Sequence, residues 1–80
     1  MEVRDKVIVV TGGGSGIGKA LCQRFAAEGA RAVVVSDLNE TVAHEVAKNI
    51  GGMAVKTDVS VEYDLQRLVK VTTSELGPID

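Results

Sequence analysis

The sequence predicts an α/β fold in which helices cover a parallel sheet on both faces, and three observations carry that prediction. Short, β-branched apolar runs alternate along the whole chain with amphipathic stretches of helical period. The short runs are apolar throughout instead of alternating with polar residues, the pattern of strands buried on both faces. Each helical stretch is closed by glycine, the last by Gly77-Pro78. The order is β-α-β-α-β-α within 80 residues, with no linker, low-complexity segment or second domain.

The first strand is expected over residues 6–11, Lys-Val-Ile-Val-Val-Thr, bounded by glycine. A helix over 16–28 follows, with Ile17, Leu21 and Phe25 four apart and Ala20 beside them as its inner face; Gly29 closes it. Residues 30–35 form the second strand and deliver Ser36 and Asp37 at its carboxyl end. Asn39 is the expected N-cap of the second helix, with Glu40 in the first turn where the helix dipole favours an anion. Val42, Val46 and Ile50 form its apolar stripe, and Gly51-Gly52 stop it. The third strand, 53–57, ends at Asp58-Val59. Ser60 is then the expected cap of a third helix whose inner face is Leu65, Leu68, Val69, Thr72 and Leu76. At Ile79-Asp80 the alternation calls for a fourth strand, so these residues are expected to be part of a longer sheet.

Composition narrows the function classes. Apolar residues make up 45% and charged residues 25%, the balance of a soluble globular protein. The net charge of -2 comes from mixed acids and bases, without the basic tract that nucleic acid would require or the cationic amphipathic helix of a membrane-surface protein. Residues 1–6 mix both signs of charge and lack the apolar core of a signal peptide, and the longest apolar runs are too short to span a bilayer. Cys22 is the single cysteine, which rules out an internal disulfide and suits a reducing compartment. A cytoplasmic protein is the simplest expectation.

The informative stretch is Thr11-Gly12-Gly13-Gly14-Ser15-Gly16-Ile17-Gly18, between the first strand and the first helix. A doubly wound sheet binds a diphosphate at this place. Gly12 allows the tight turn off the strand, a bare backbone at Gly16 lets a phosphate approach, and Gly18 lets the helix pack close to the strand. The helix N-terminus adds free N–H groups and the positive end of its dipole. The spacing is T-G-x-x-x-G-x-G, since G-x-G-x-x-G from Gly12 would need glycine at Ile17. A P-loop reading of Gly13 to Lys19 satisfies G-x-x-x-x-G-K but fails at Ala20, where a metal-binding hydroxyl is required. An S-adenosylmethionine site shares the glycine turn and a ribose-binding acid, and the Thr11 spacing argues against it.

With this turn the sequence resembles the short-chain dehydrogenase/reductase family, and the resemblance continues in order with Asp37 ending the second strand and Asp58-Val59 ending the third. It covers essentially the whole chain but only the family's N-terminal third or so. The implied fold is the N-terminal half of a Rossmann-type doubly wound parallel sheet, for which right-handed crossovers give the strand order 3-2-1, and the implied cofactor is a nicotinamide dinucleotide. Asp37 lies 19 residues after Gly18, near the offset at which an acid accepts from the adenosine ribose hydroxyls. Its neighbours are Ser36 and Leu38, with no base for a 2′-phosphate, and Ser15 stands where the family often places a basic residue in NADP-preferring members. NAD is therefore the expected cofactor. The resemblance further implies that Asp58 bonds the adenine amino group and the Val59 backbone the ring edge. The expected cofactor-binding set is Gly12, Ser15, Gly16, Ile17, Gly18, Asp37, Leu38, Asp58 and Val59.

Lys19 and His44 read as solvated helix residues, and Cys22 as a small packing residue. Tyr63 is followed four residues on by Arg67 instead of the family's lysine and sits at the wrong point in the chain for the catalytic tyrosine. The Ser-Tyr-Lys catalytic group that the resemblance implies would follow residue 80, leaving no catalytic residue here and an inactive chain on its own. The expectation is the cofactor-binding part of an NAD-dependent oxidoreductase acting on an alcohol or carbonyl, homo-oligomeric in its full-length form. The alternative is a truncated, non-enzymatic nucleotide-binding or interaction protein. Without a fourth strand the first strand is expected to be an exposed apolar edge and the chain only marginally stable.

Overall fold

The computed structural model describes residues 3–80. Six elements follow in the expected order: β1 (Val7–Thr11), α1 (Gly16–Ala27), β2 (Ala32–Asp37), α2 (Glu40–Ile50), β3 (Met53–Lys56) and α3 (Glu62–Leu76). The strands form one parallel sheet hydrogen-bonded in the order β1-β2-β3. Val9 faces Val34, and Val34 in turn faces Met53, so β2 is the central strand.

A central parallel strand must be apolar on both faces, and β2 divides its valines between two cores. Val33 and Val35 pack with Cys22 of α1 and with Ala43, Val46 and Ala47 of α2. Val34 points to the other face and packs with Val55 and with Leu68 of α3. Val34 and Val35 are both fully buried. Each such side chain contributes about 1.5 kcal/mol or more relative to an exposed one.

Two expected helix faces are corrected. On α1, Ile17 is 82% exposed and Leu21 41%, while Cys22 is fully buried and Phe25 and Ala26 are half-buried. The cause is Gly18: a Cβ there would strike the Gly12 carbonyl, so this face of the helix lies directly on the turn. Positions 18, 22, 25 and 26 then share the inward side, and the stripe through Ile17 and Leu21 is rotated off it. On α3, Leu68 and Thr72 are buried and Leu76 half-buried, whereas Leu65 and Val69 are 37% and 51% exposed. One α3 stripe meets the sheet, and Leu65 and Val69 flank an open groove beside it.

The start of α3 is corrected as well. Its N-cap is Val61, without a side-chain capping bond, and the Ser60 hydroxyl donates instead to Asp58 Oδ1 at 2.6 Å. The β1 edge also differs from the bare strand expected. Val7 is fully buried and Val10 nearly so. The Val7 N–H donates to Asp80 Oδ2 at 2.8 Å, and the Val7 carbonyl accepts from the Asp80 N–H at 2.9 Å. The Asp80 carboxylate and N–H thus pair with β1 at Val7, while β1 remains the edge strand of the sheet.

Candidate functional site

The three strands end at one side of the sheet, and the expected site residues lie there, at the end of β2, in the connections after β1 and β3, and in the first turn of α1. The first connection is the glycine turn. Gly12 and Gly16 have φ of 68° and 56°, left-handed values that favour glycine, and a Cβ on either would meet nothing within 4 Å. The space over the turn is therefore open. Ser15, the N-cap of α1, is extended and makes no side-chain capping bond, and no acid lies in the first turn. The Lys19 N–H closes that turn on the Ser15 carbonyl at 3.2 Å, which leaves the preceding amides for an external acceptor.

Asp37 ends β2, half-buried. Its Oδ2 accepts from the Gly14 N–H at 2.9 Å and its Oδ1 from the Asn39 N–H at 2.9 Å. Each oxygen keeps acceptor capacity for a further donor. Backbone bonds lock the neighbouring connections together: the Gly13 N–H donates to the Ser36 carbonyl and the Thr57 N–H to the Asp37 carbonyl, both at 3.0 Å. The three strand ends are thus one hydrogen-bonded unit.

Asp58 follows β3. Its Oδ1 accepts from the Ser60 hydroxyl and from the Ser60 N–H at 2.9 Å, and its own N–H donates to Asp64 Oδ2 at 3.0 Å. The Ser60 hydroxyl, and after it the Ser60 amide, holds the Asp58 carboxyl below the usual carboxylate range. Ile17, Leu38 and Val59 stand next to Gly16, Asp37 and Asp58 in sequence, and all three are more than half exposed. These exposed apolar side chains, one in the first turn of α1 and the others just past β2 and β3, leave apolar surface at this end of the sheet for an apolar or flat aromatic group.

Cys22 lies beneath the turn, with Sγ 3.9 Å from the Gly13 carbonyl, and burial pushes its thiol up. That environment suits packing and not nucleophilic attack. Lys19 and His44 are exposed, as their helix positions require. Two contributors escaped the sequence reading. Gly14 occupies a free position of the spacing yet bonds Asp37, and Asp64 orders the Asp58 backbone from within α3. Acid in the first turn of a helix was the available signal for Asp64.

Known proteins share this fold and sequence. The family model of the short chain dehydrogenases matches residues 6–80. A (+)-cis,trans-nepetalactol synthase of Nepeta racemosa is 42% identical over 81 residues, covering 99% of this chain and 30% of that protein. A mitochondrial (-)-isopiperitenol/(-)-carveol dehydrogenase of Mentha piperita is 40% identical over 82 residues, covering 99% of this chain and 31% of the relative. Among solved structures, a hydroxysteroid dehydrogenase from Escherichia coli superposes with a TM-score of 0.93 at 36% identity, covering 99% of this chain and 34% of that one. The chain belongs to the short-chain dehydrogenase/reductase family. It spans under a third of the length of the two plant relatives.

Proposed function

We propose that this chain is the NAD-binding part of an oxidoreductase acting on an alcohol or carbonyl substrate. The observation that carries the reading is the open glycine turn leading into an uncapped, acid-free helix start, with the Asp37 carboxylate oriented beside it. These residues fit a dinucleotide. Gly12, Ser15, Gly16, Ile17 and Gly18 offer bare backbone and free amides to a diphosphate. Asp37 offers two oriented acceptor oxygens to the 2′- and 3′-hydroxyls of a ribose, and Leu38 adds apolar surface beside it. Asp58 and the Val59 backbone would take the amino group and edge of an adenine ring. A nicotinamide dinucleotide held here would supply hydride exchange with a carbinol or carbonyl carbon.

In this reading the residues that move the substrate proton belong to sequence beyond residue 80. There the sheet continues in the 3-2-1 order of a doubly wound domain, with a fourth strand beside β1. The full-length protein would be cytoplasmic and homo-oligomeric. Among the described residues no helix is long and apolar enough to cross a membrane.

NAD is favoured over NADP because a 2′-phosphate would approach the Asp37 carboxylate, and the adjacent Ser36 and Leu38 offer it no cation. The test is calorimetric titration of both cofactors against the wild type and Asp37→Ala. The wild type should prefer NAD by about tenfold or more, equivalent to about 1.4 kcal/mol, and Asp37→Ala should narrow that gap. Equal wild-type affinities would overturn the NAD assignment, and binding of neither cofactor would overturn the site.

A further inference from the structure

We infer that Gly14 is a positioning residue for ribose recognition: it sets the Asp37 carboxylate and so governs the choice between the two dinucleotides. The inference rests on the dinucleotide reading above and adds a residue that the T-G-x-x-x-G-x-G spacing leaves free.

Two observations at Gly14 point the same way. Its N–H donates to Asp37 Oδ2 at 2.9 Å, and a Cβ built on it would lie 2.9 Å from that same oxygen. The Cβ would also run into Val42 Cγ2 and lie 3.2 Å from the Ala43 nitrogen. Gly12 and Gly16 are different: their φ values are left-handed, and a Cβ on them would meet nothing. Gly14 is therefore glycine for space, at the one place where the turn, the carboxylate and the first turn of α2 converge.

The bond network shows what that space protects. Asp37 Oδ1 is held by the Asn39 N–H, and Asn39 Oδ1 accepts from the Val42 N–H at 3.3 Å. With Gly14 on the other oxygen, the carboxylate is fastened from both sides, to the glycine turn and to the start of α2. Hydrogen bonds to an ionised acceptor are directional and strong, so the carboxylate plane follows the turn. A methyl group at position 14 displaces the oxygen that the amide holds, while Gly12, Gly16 and Gly18 keep their conformations. The loss falls on ribose recognition and spares the diphosphate contacts.

The experiment uses the full 80-residue chain with NAD and NADP as probes. Wild type, Gly14→Ala, Asp37→Ala and the double variant are titrated by calorimetry. Gly14→Ala should weaken NAD about tenfold, the effect of one charge-assisted hydrogen bond, and should change NADP less. In the Asp37→Ala background the same change should cost nothing further for either probe, because the group it positions is gone. Val42→Ala added to Gly14→Ala should recover part of the NAD affinity by relieving the tightest contact. Additive losses, or a Gly14→Ala loss equal for NAD and NADP, would overturn the inference and leave dinucleotide binding standing. A wild type that binds neither probe would overturn the proposed function instead. Amide exchange in the free protein decides the positioning role in that case, and also if Gly14→Ala does not fold. The Gly14 N–H should exchange about tenfold faster in Asp37→Ala and stay protected in Asp37→Asn, whose amide oxygen still accepts. Unchanged exchange in Asp37→Ala overturns the inference.

Discussion

The starts of α1 and α2 lie side by side at the same end of the sheet and are built in opposite ways. At α2 the chain serves its own helix: Asn39 Oδ1 accepts from the Val42 N–H, and Glu40 places a negative charge in the first turn. At α1 the corresponding equipment is missing. Ser15 makes no capping bond, the first turn holds no acid, and the approach is glycine. α3 falls between them, lacking a side-chain cap but carrying Glu62 and Asp64. A helix start without cap or counter-charge forgoes about 1 kcal/mol of available stabilisation. The difference teaches where binding is to be sought: the α2 start is answered by its own residues, and the α1 start is not, as the proposed diphosphate site requires.

The comparison can be broken most severely at Gly16. Gly16→Val puts a branched side chain into the open space over the turn and forces a β-branched residue to a left-handed φ. NAD affinity measured by calorimetry should fall by at least about 100-fold, roughly 3 kcal/mol, with a smaller loss of fold stability. Retained affinity would mean that the diphosphate does not sit on this turn.

Making α1 resemble α2 should sharpen the contrast. Ser15→Asp supplies the missing cap and charge, so the helix should gain about 0.5 kcal/mol in chemical denaturation. The same carboxylate occupies the free amides and repels an anion, and NAD should weaken by about tenfold or more. A variant that gained stability without losing NAD would separate the helix dipole from binding.

The converse change removes the cap of α2. Asn39→Ala should cost about 1 kcal/mol of stability, read from the denaturation midpoint, with little change at the diphosphate. A large loss of diphosphate affinity would show that both helix starts belong to the binding surface.

The smallest effect lies at Asp58. Because Ser60 lowers its carboxyl in the folded chain, the folded state holds fewer protons there than the unfolded one. The resulting stability is fully present above the ordinary carboxylate range and is lost as pH falls through the depressed folded value. Ser60→Ala should therefore be less stable than wild type at neutral pH, and the two should converge in acid. A stability difference that persists undiminished in acid would assign the Ser60 effect to packing.

Helices and strands were legible because their signals are local. Apolar runs bounded by glycine marked the strands, and Asn39 with Glu40 marked the α2 start as the structure has it. The exposed side chains were misread where tertiary packing overrode periodicity. Ile17 and Leu21 satisfy a helical stripe, but Gly18 has no side chain to register in such a pattern, and it is Gly18 that brings α1 against the turn. Ser60 has the composition of a cap, yet Asp58 takes its hydroxyl.

What the sequence by itself determined is the alternation of elements, the glycine turn, Asp37 at the end of β2 and Asp58 shortly after β3, because each depends on residues close together in the chain. Only the tertiary structure decided which faces of α1 and α3 are buried, how Asp80 meets the β1 edge, and that Gly14 and Asp37 share a hydrogen bond. That bond joins residues 23 apart in sequence. No local pattern encodes such a contact, because it exists only once two parallel strands set their carboxyl ends side by side.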